Sequence, residues 1–182
     1  LDYEDDIKQL QKSNWEIGLH TDPSSIDDLD KIRLEKEKLE SITGKQIIGN
    51  RVHFLNYNPE LPNKLEKLGF NYDSSLRHSK DRIDEKEMGY SRIHGIIEFP
   101  VTLMDAYLFT YMKIREEKII SQFQKTLDLG RSLSENNVIS VIWHENVLKM
   151  KGGRVYKQIL EFLTSQDDVE IKRGIDLVKI LK

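Results

Sequence analysis

Residues 15–25 read WEIGLHTDPSS. A short apolar run ends on His20, and Thr-Asp-Pro-Ser-Ser follows. The run Glu16–His20 has the length of a strand. Ser24 or Ser25 then reads as the cap of a long charged helix, with Asp27, Asp28 and Asp30 in a first turn where the helix dipole favours carboxylates. Leu29, Ile32, Leu39 and Ile42 give that helix an imperfect buried stripe, and Gly44 ends it. Taken alone, His20 is a core histidine with a partner, since neutral imidazole buries readily, or a metal ligand at the mouth of an α/β fold.

The same pattern recurs outward from this stretch. Upstream, Tyr3, Ile7 and Leu10 fall at helical spacing. Downstream, QIIGNRVHF (46–54) reads as a strand. Pro59 and Pro62 open a short helix with Leu61, Leu65 and Leu68 on one face and Gly69 as its stop. FNYDSS (70–75) is a further strand end, and 76–95 reads as a polar surface loop. IIEFPVTLMD (96–105) is strand-like but interrupted at Pro100. Ile119, Ile120, Phe123 and Leu127 mark a helix. VISVIWH (138–144) is the clearest buried strand, and Val155, Ile159, Phe162 and Leu163 mark another helix. VEIKRG (169–174) and a helix from about Ile175 close the chain. Strands alternating with helices predict one α/β domain over 1–182, a parallel sheet or barrel of βα units. Ligands in such folds gather at the carboxyl ends of the strands.

Composition narrows the function. With 182 residues the chain can bury a sizeable core. The net charge of −3, with both signs interspersed, gives no basic surface for nucleic acid. The absence of cysteine excludes disulfides and thiolate metal sites. No apolar run approaches the roughly 18 residues of a membrane span, and no signal peptide is visible, so a soluble chain is expected. It begins at Leu1 almost directly on a helical pattern, which reads as a start inside a larger protein.

The strand ends carry the chemistry. The first delivers His20, the second Arg51 and His53, the third Asp73 beside Ser74 and Ser75, the fourth Asp105, and the VISVIW strand His144. Imidazoles with a carboxylate suit zinc or a similar divalent ion, which activates water and polarises a carbonyl. A histidine away from the metal, oriented by an aspartate, can protonate a leaving group. That set suits hydrolysis of an amide or ester. Each residue also has a structural reading. His53 by alternation shares a strand face with Arg51 and Leu55 and is half-buried; Arg51 pairs with a surface acid; Asp73 and Asp105 cap turns or helices. His78 and His94 read as structural or exposed. A serine triad through Ser74 or Ser75 has no Gly-x-Ser-x-Gly elbow. A glycosidase pair of Asp73 and Asp105 leaves the histidines without a role.

EIGLHTDPSS, the stretch from LEKEKLESITG to GFNYDSS, EFPVTLMDAYLF and VIWHENV together resemble, in order, the polysaccharide deacetylases, the NodB homology domain of the fourth carbohydrate esterase family. The resemblance covers about residues 3–176. It implies a distorted seven-stranded (β/α) barrel using a divalent metal, usually zinc, to remove N- or O-acetyl groups from an acetylated carbohydrate. Within it, His20 matches the first histidine of the metal motif His-x-x-x-His, whose second position is Ser24 here. His53, in an Arg-x-His arrangement, would supply the missing imidazole. Arg51 matches the arginine orienting the catalytic carboxylate, and Asp73 falls where family aspartates follow strands. Asp105 matches the aspartate supporting the catalytic histidine, and His144 that histidine, a general acid. Ile142 and Trp143 would line the acetyl pocket. The family's first motif, an aspartate pair after the first strand, has no counterpart, because Asp5 and Asp6 sit in a helical pattern. The fold is thus expected to be incomplete at the N-terminus. A non-catalytic carbohydrate-binding relative and a hydrolase of another small amide are the competing readings.

Overall fold

The computed structural model describes residues 3–134 and 137–181. Leu1 lies outside them. The chain divides into two compact units. The first comprises Leu1–Leu76, Ser91–Phe99 and Lys172–Lys182, and the second Arg77–Tyr90 and Pro100–Ile171. No helix among the described residues is long and apolar enough to cross a membrane.

The first unit holds strands β1 (Leu19–Thr21), β2 (Gly49–Val52), β3 (Tyr72–Asp73), β4 (Ser91–Ile93) and β5 (Ile96–Glu98). Its helices are α1 (Glu4–Lys12), α2 (Leu29–Thr43), α3 (Leu61–Lys67) and α6 (Gly174–Leu181). The sheet runs in the order β1-β2-β3-β5-β4, parallel except for the edge strand β4. Ile32 of α2 and Leu61 and Leu65 of α3 pack with Leu19, Ile47, Val52, Phe70 and Ile96 in the core. The parallel register aligns Asn50 with Asp73 and Asp73 with Glu98, so three polar residues form one row across three strands.

Three local expectations are corrected here. The cap of α2 is Asp28, whose carboxylate accepts the Asp30 and Lys31 amides; Ser24 and Ser25 belong to a separate 3₁₀ turn. Pro23 and Asp22 set that turn, because proline fits its first position and the aspartate accepts the Ser24 amide. Gly44 does end α2, at φ 63°. Second, β2 stops at Val52. His53–Leu55 form a 3₁₀ turn with Phe54 and Leu55 at positive φ, so His53 does not share a strand face with Arg51 and Leu55. Third, residues 76–95 are more than a surface loop. They supply edge strand β4 and, in the second unit, the wholly buried Glu87, which accepts the His78 and Ser79 amides and lies 3.7 Å from Arg77.

Tyr72 shows how tightly the first unit is fitted. Its hydroxyl donates to Glu16 (2.9 Å), whose other oxygen accepts the Ile175 amide (2.9 Å). A Cβ at Gly49 or Gly174 would overlap the Tyr72 ring, so both positions need glycine for space. Gly49→Ala is expected to destabilise the chain by about 1–3 kcal/mol through overpacking, read by urea denaturation. An unchanged midpoint would mean that the ring swings aside freely.

The second unit is a β-α-β arrangement. Parallel strands β6 (Val101–Met104) and β7 (Ser140–Ile142) flank helix α4 (Ile119–Leu133) in sequence, and α5 (Lys151–Thr164) follows. Leu103, Leu108, Ile119, Phe123, Val155 and Ile159 make its core. The VISVIWH stretch pairs over three residues only, and Val141 within it is 41% exposed. Residues 169–173 form neither helix nor strand, and Ile171 is exposed.

Candidate functional site

Each unit carries one group of polar side chains at strand ends. In the first, the aligned row is a closed hydrogen-bond network. Thr21 donates to Asn50 Oδ1 (2.6 Å), Asn50 Nδ2 to Asp73 Oδ1 (2.8 Å), and Ser75 Oγ to the same oxygen (2.8 Å). Glu98 Oε1 accepts the Leu76 amide (2.9 Å). Asp73 and Glu98 are both wholly buried and lie side by side on paired strands. Their remaining oxygens, Asp73 Oδ2 and Glu98 Oε2, meet no nitrogen or hydroxyl donor. Two buried carboxyls in contact cannot both ionise, so the pair keeps a proton. Burial and the neighbouring Asp73 push Glu98 up to about 9. Burial also raises Asp73, against the hydrogen bonds of Ser75, Glu98 and Asn50.

Arg51 sits beside this pair without bonding it. Its Nε and Nη2 donate to Ser74 O (2.9 Å) and Ser74 Oγ (2.8 Å). These bonds grip the turn after β3. Burial lowers the Arg51 guanidinium, while Tyr72, Asp73 and Glu98 oppose that shift.

His20 and His53 do come together. Their ring centroids are 5.0 Å apart at 64°. His20 Nδ1 lies 2.9 Å from the Arg51 carbonyl, which makes Nδ1 the protonated nitrogen. Ser24, the other expected ligand, donates its hydroxyl to Asp22 Oδ1 (2.7 Å) and its amide to the same oxygen (2.8 Å). These bonds from Ser24, aided by the field of His53, hold the exposed Asp22 carboxylate below its ordinary value. Among the described residues no group of three histidine or carboxylate side chains is placed to hold a metal. The residues present thus supply two donors, too few for a complete catalytic site, and no reaction step follows from them through a metal.

The second unit pairs Asp105 with His144. Asp105 follows β6 and precedes a π-helical turn, Tyr107–Tyr111. It is wholly buried, and its Oδ1 receives His144 Nδ1 (2.6 Å) and the Ala106 amide (2.6 Å), its Oδ2 the His144 amide (2.8 Å). A carboxylate holding both the backbone and the ring of one histidine fixes its rotamer and tautomer, leaving Nε2 as the working atom. The two residues border a cleft of about 610 Å³ together with Phe109, Thr110, Asn146, Met150 and Arg154. Arg154 is braced by a two-bond pair with Glu116 (2.7 and 2.8 Å). Ile142 is buried, and the Trp143 ring meets Phe123 on one side and the cleft-lining Phe109 on another, with centroids 6.4 and 6.1 Å away.

Glu98, Asn50 and Asp22 were not singled out in the sequence. The signals were present for two of them: Glu98 interrupts an apolar run, and Asp22 sits in an Asp-Pro turn directly after a strand.

The sequence matches no protein-family model and no curated protein. Solved structures do match. A protein from Mycobacterium smegmatis assigned as a polysaccharide deacetylase superposes with TM-score 0.75 at 18% identity, over 98% of this chain and 67% of its own. PuuE allantoinase gives 0.75 at 15%, over 98% and 62%, and a protein from Pseudomonas aeruginosa PAO1 assigned as a polysaccharide deacetylase gives 0.75 at 16%, over 97% and 62%. The chain therefore has the α/β fold of the NodB-type polysaccharide deacetylases, and it spans 62–67% of the length of these three proteins.

Proposed function

We propose that the chain is a deacetylase-type hydrolase that removes an N- or O-acetyl group from a carbohydrate. The Asp105–His144 pair at the edge of a cleft carries this reading, and the fold supports it. Water adds to the acetyl carbonyl and its two protons pass to solvent, while the bond from that carbon to the sugar nitrogen or oxygen breaks. The proton on His144 Nε2 goes to the departing atom, giving acetate and a free amine or hydroxyl, and the neutral imidazole regains its proton from solvent. Asp105 holds the Nδ1 proton throughout. Thr110, Asn146 and Arg154 provide donors for sugar hydroxyls along the cleft. Acetate release from N-acetylated chito-oligosaccharides and O-acetylated xylo-oligosaccharides tests this. Release from neither, with binding retained, would favour a carbohydrate-binding chain without catalysis, the reading that the incomplete donor set supports.

The cofactor belongs to the same proposal. A divalent ion, zinc first, would take two of its ligands from His20 and His53 and would supply Lewis acidity. Elemental analysis of the purified protein is expected to find about one ion per chain, lost in both His20→Ala and His53→Ala. An ion retained in both variants would remove these histidines from any metal site.

A further inference from the structure

Phe54 is the most exposed large apolar side chain among the described residues, at 79%. Its backbone sits at φ 60°, ψ 12°, and Leu55 follows at φ 53°. Two successive non-glycine residues in the left-handed region are strained, and an aromatic residue is a poor choice there. A turn needed only for its shape would be served better by glycine or asparagine. The strain has one visible result. It carries the Phe54 ring outward at the end of β2 and lays it on His53, with centroids 4.0 Å apart and planes 18° from parallel. His53 covers one face of the ring; the high exposure leaves the opposite face to solvent. Beside it in the chain stand the exposed hydrogen-bonding groups of His53 and Asn56, and Asp22 is exposed after the neighbouring strand β1.

We propose that Phe54 is a stacking platform for one pyranose ring of the carbohydrate, beside the His20–His53 pair. The inference rests on the carbohydrate reading of the chain's function. The chemistry comes from the shape of the ligand. A pyranose has an apolar face of C–H groups and an edge of hydroxyls. A flat, solvent-facing aromatic ring takes the first through C–H contacts with its electron-rich face. The imidazole, amide and carboxylate around it take the second. A second protein as occupant would need a contiguous apolar patch, whereas the exposed neighbours of Phe54 in the chain, His53 and Asn56, are polar.

N-acetylated chitotetraose and O-acetylated xylotetraose are titrated calorimetrically into the wild-type chain, Phe54→Gly and Phe54→Trp. The wild type is expected to bind at least one of them. Phe54→Gly is expected to weaken that binding by tenfold or more while raising the melting temperature, because glycine relieves the left-handed strain. Phe54→Trp is expected to bind within threefold of wild type or tighter. Undiminished binding by Phe54→Gly overturns the platform and leaves the deacetylase reading intact. Loss of binding in Phe54→Trp as well overturns it too, since that variant keeps an aromatic face. Binding of neither sugar by the wild type overturns both readings.

Discussion

His144→Ala is expected to slow acetate release by about 10²–10⁴-fold, the usual contribution of a positioned general acid. The loss should fall on kcat, because the imidazole acts on the departing atom and not on the ground-state sugar. The fold should survive. The His144 side chain is 41% exposed, and its removal leaves Asp105 with two backbone amides on its carboxylate. Asp105→Asn should cost nearly as much activity, since an amide in that place no longer fixes the Nδ1 proton. It should also cost about 1–3 kcal/mol of stability, because an amide nitrogen facing a backbone N–H leaves a buried donor unpaired. Acetate release by the double variant should be no slower than by the worse single one, as befits two residues that act as one unit. Wild-type rates in His144→Ala would sink the assignment of the proton donor.

The legibility of this pair in the sequence has a physical reason. Asp105 and His144 each come directly after an apolar strand, and parallel strands deliver the residues at their carboxyl ends to one edge. Strand-end logic therefore finds them without any knowledge of contacts, and it finds His20 and Arg51 the same way. It misplaces His53, because period-two alternation assumes that the strand continues, and the chain instead turns left-handed at Phe54. It assigns Asp73 a catalytic place but misses its partner. Glu98 lies inside an apolar run, where an acid reads as a fault in the pattern. Only the pairing of β3 with β5 in register brings the two carboxyls together.

Glu98→Gln is expected to change the pH dependence of stability. The folded chain holds the Glu98 proton up to about pH 9, because burial and Asp73 disfavour the charge; the unfolded chain releases it near the ordinary value of 4.5. Between those values the unfolded state binds fewer protons than the folded one, so stability falls as pH rises. The contribution is complete below the unfolded value and lost progressively up to the folded one, at no more than about 1.4 kcal/mol per pH unit. Asp73, raised in the same direction, shares that proton. Glutamine carries no proton to lose. Its Oε1 can keep the Leu76 amide, and its nitrogen can donate toward Asp73 where the proton stood. Wild type and Glu98→Gln should therefore melt at similar temperatures at pH 5, and the variant should melt increasingly higher as pH approaches 8. The groups facing Glu98 that could blunt the effect are Arg51 and Tyr57, and both are unchanged in the variant. Parallel melting curves across that range would mean that the buried pair holds no shared proton, and the acid row across β2, β3 and β5 would need another source of neutralisation.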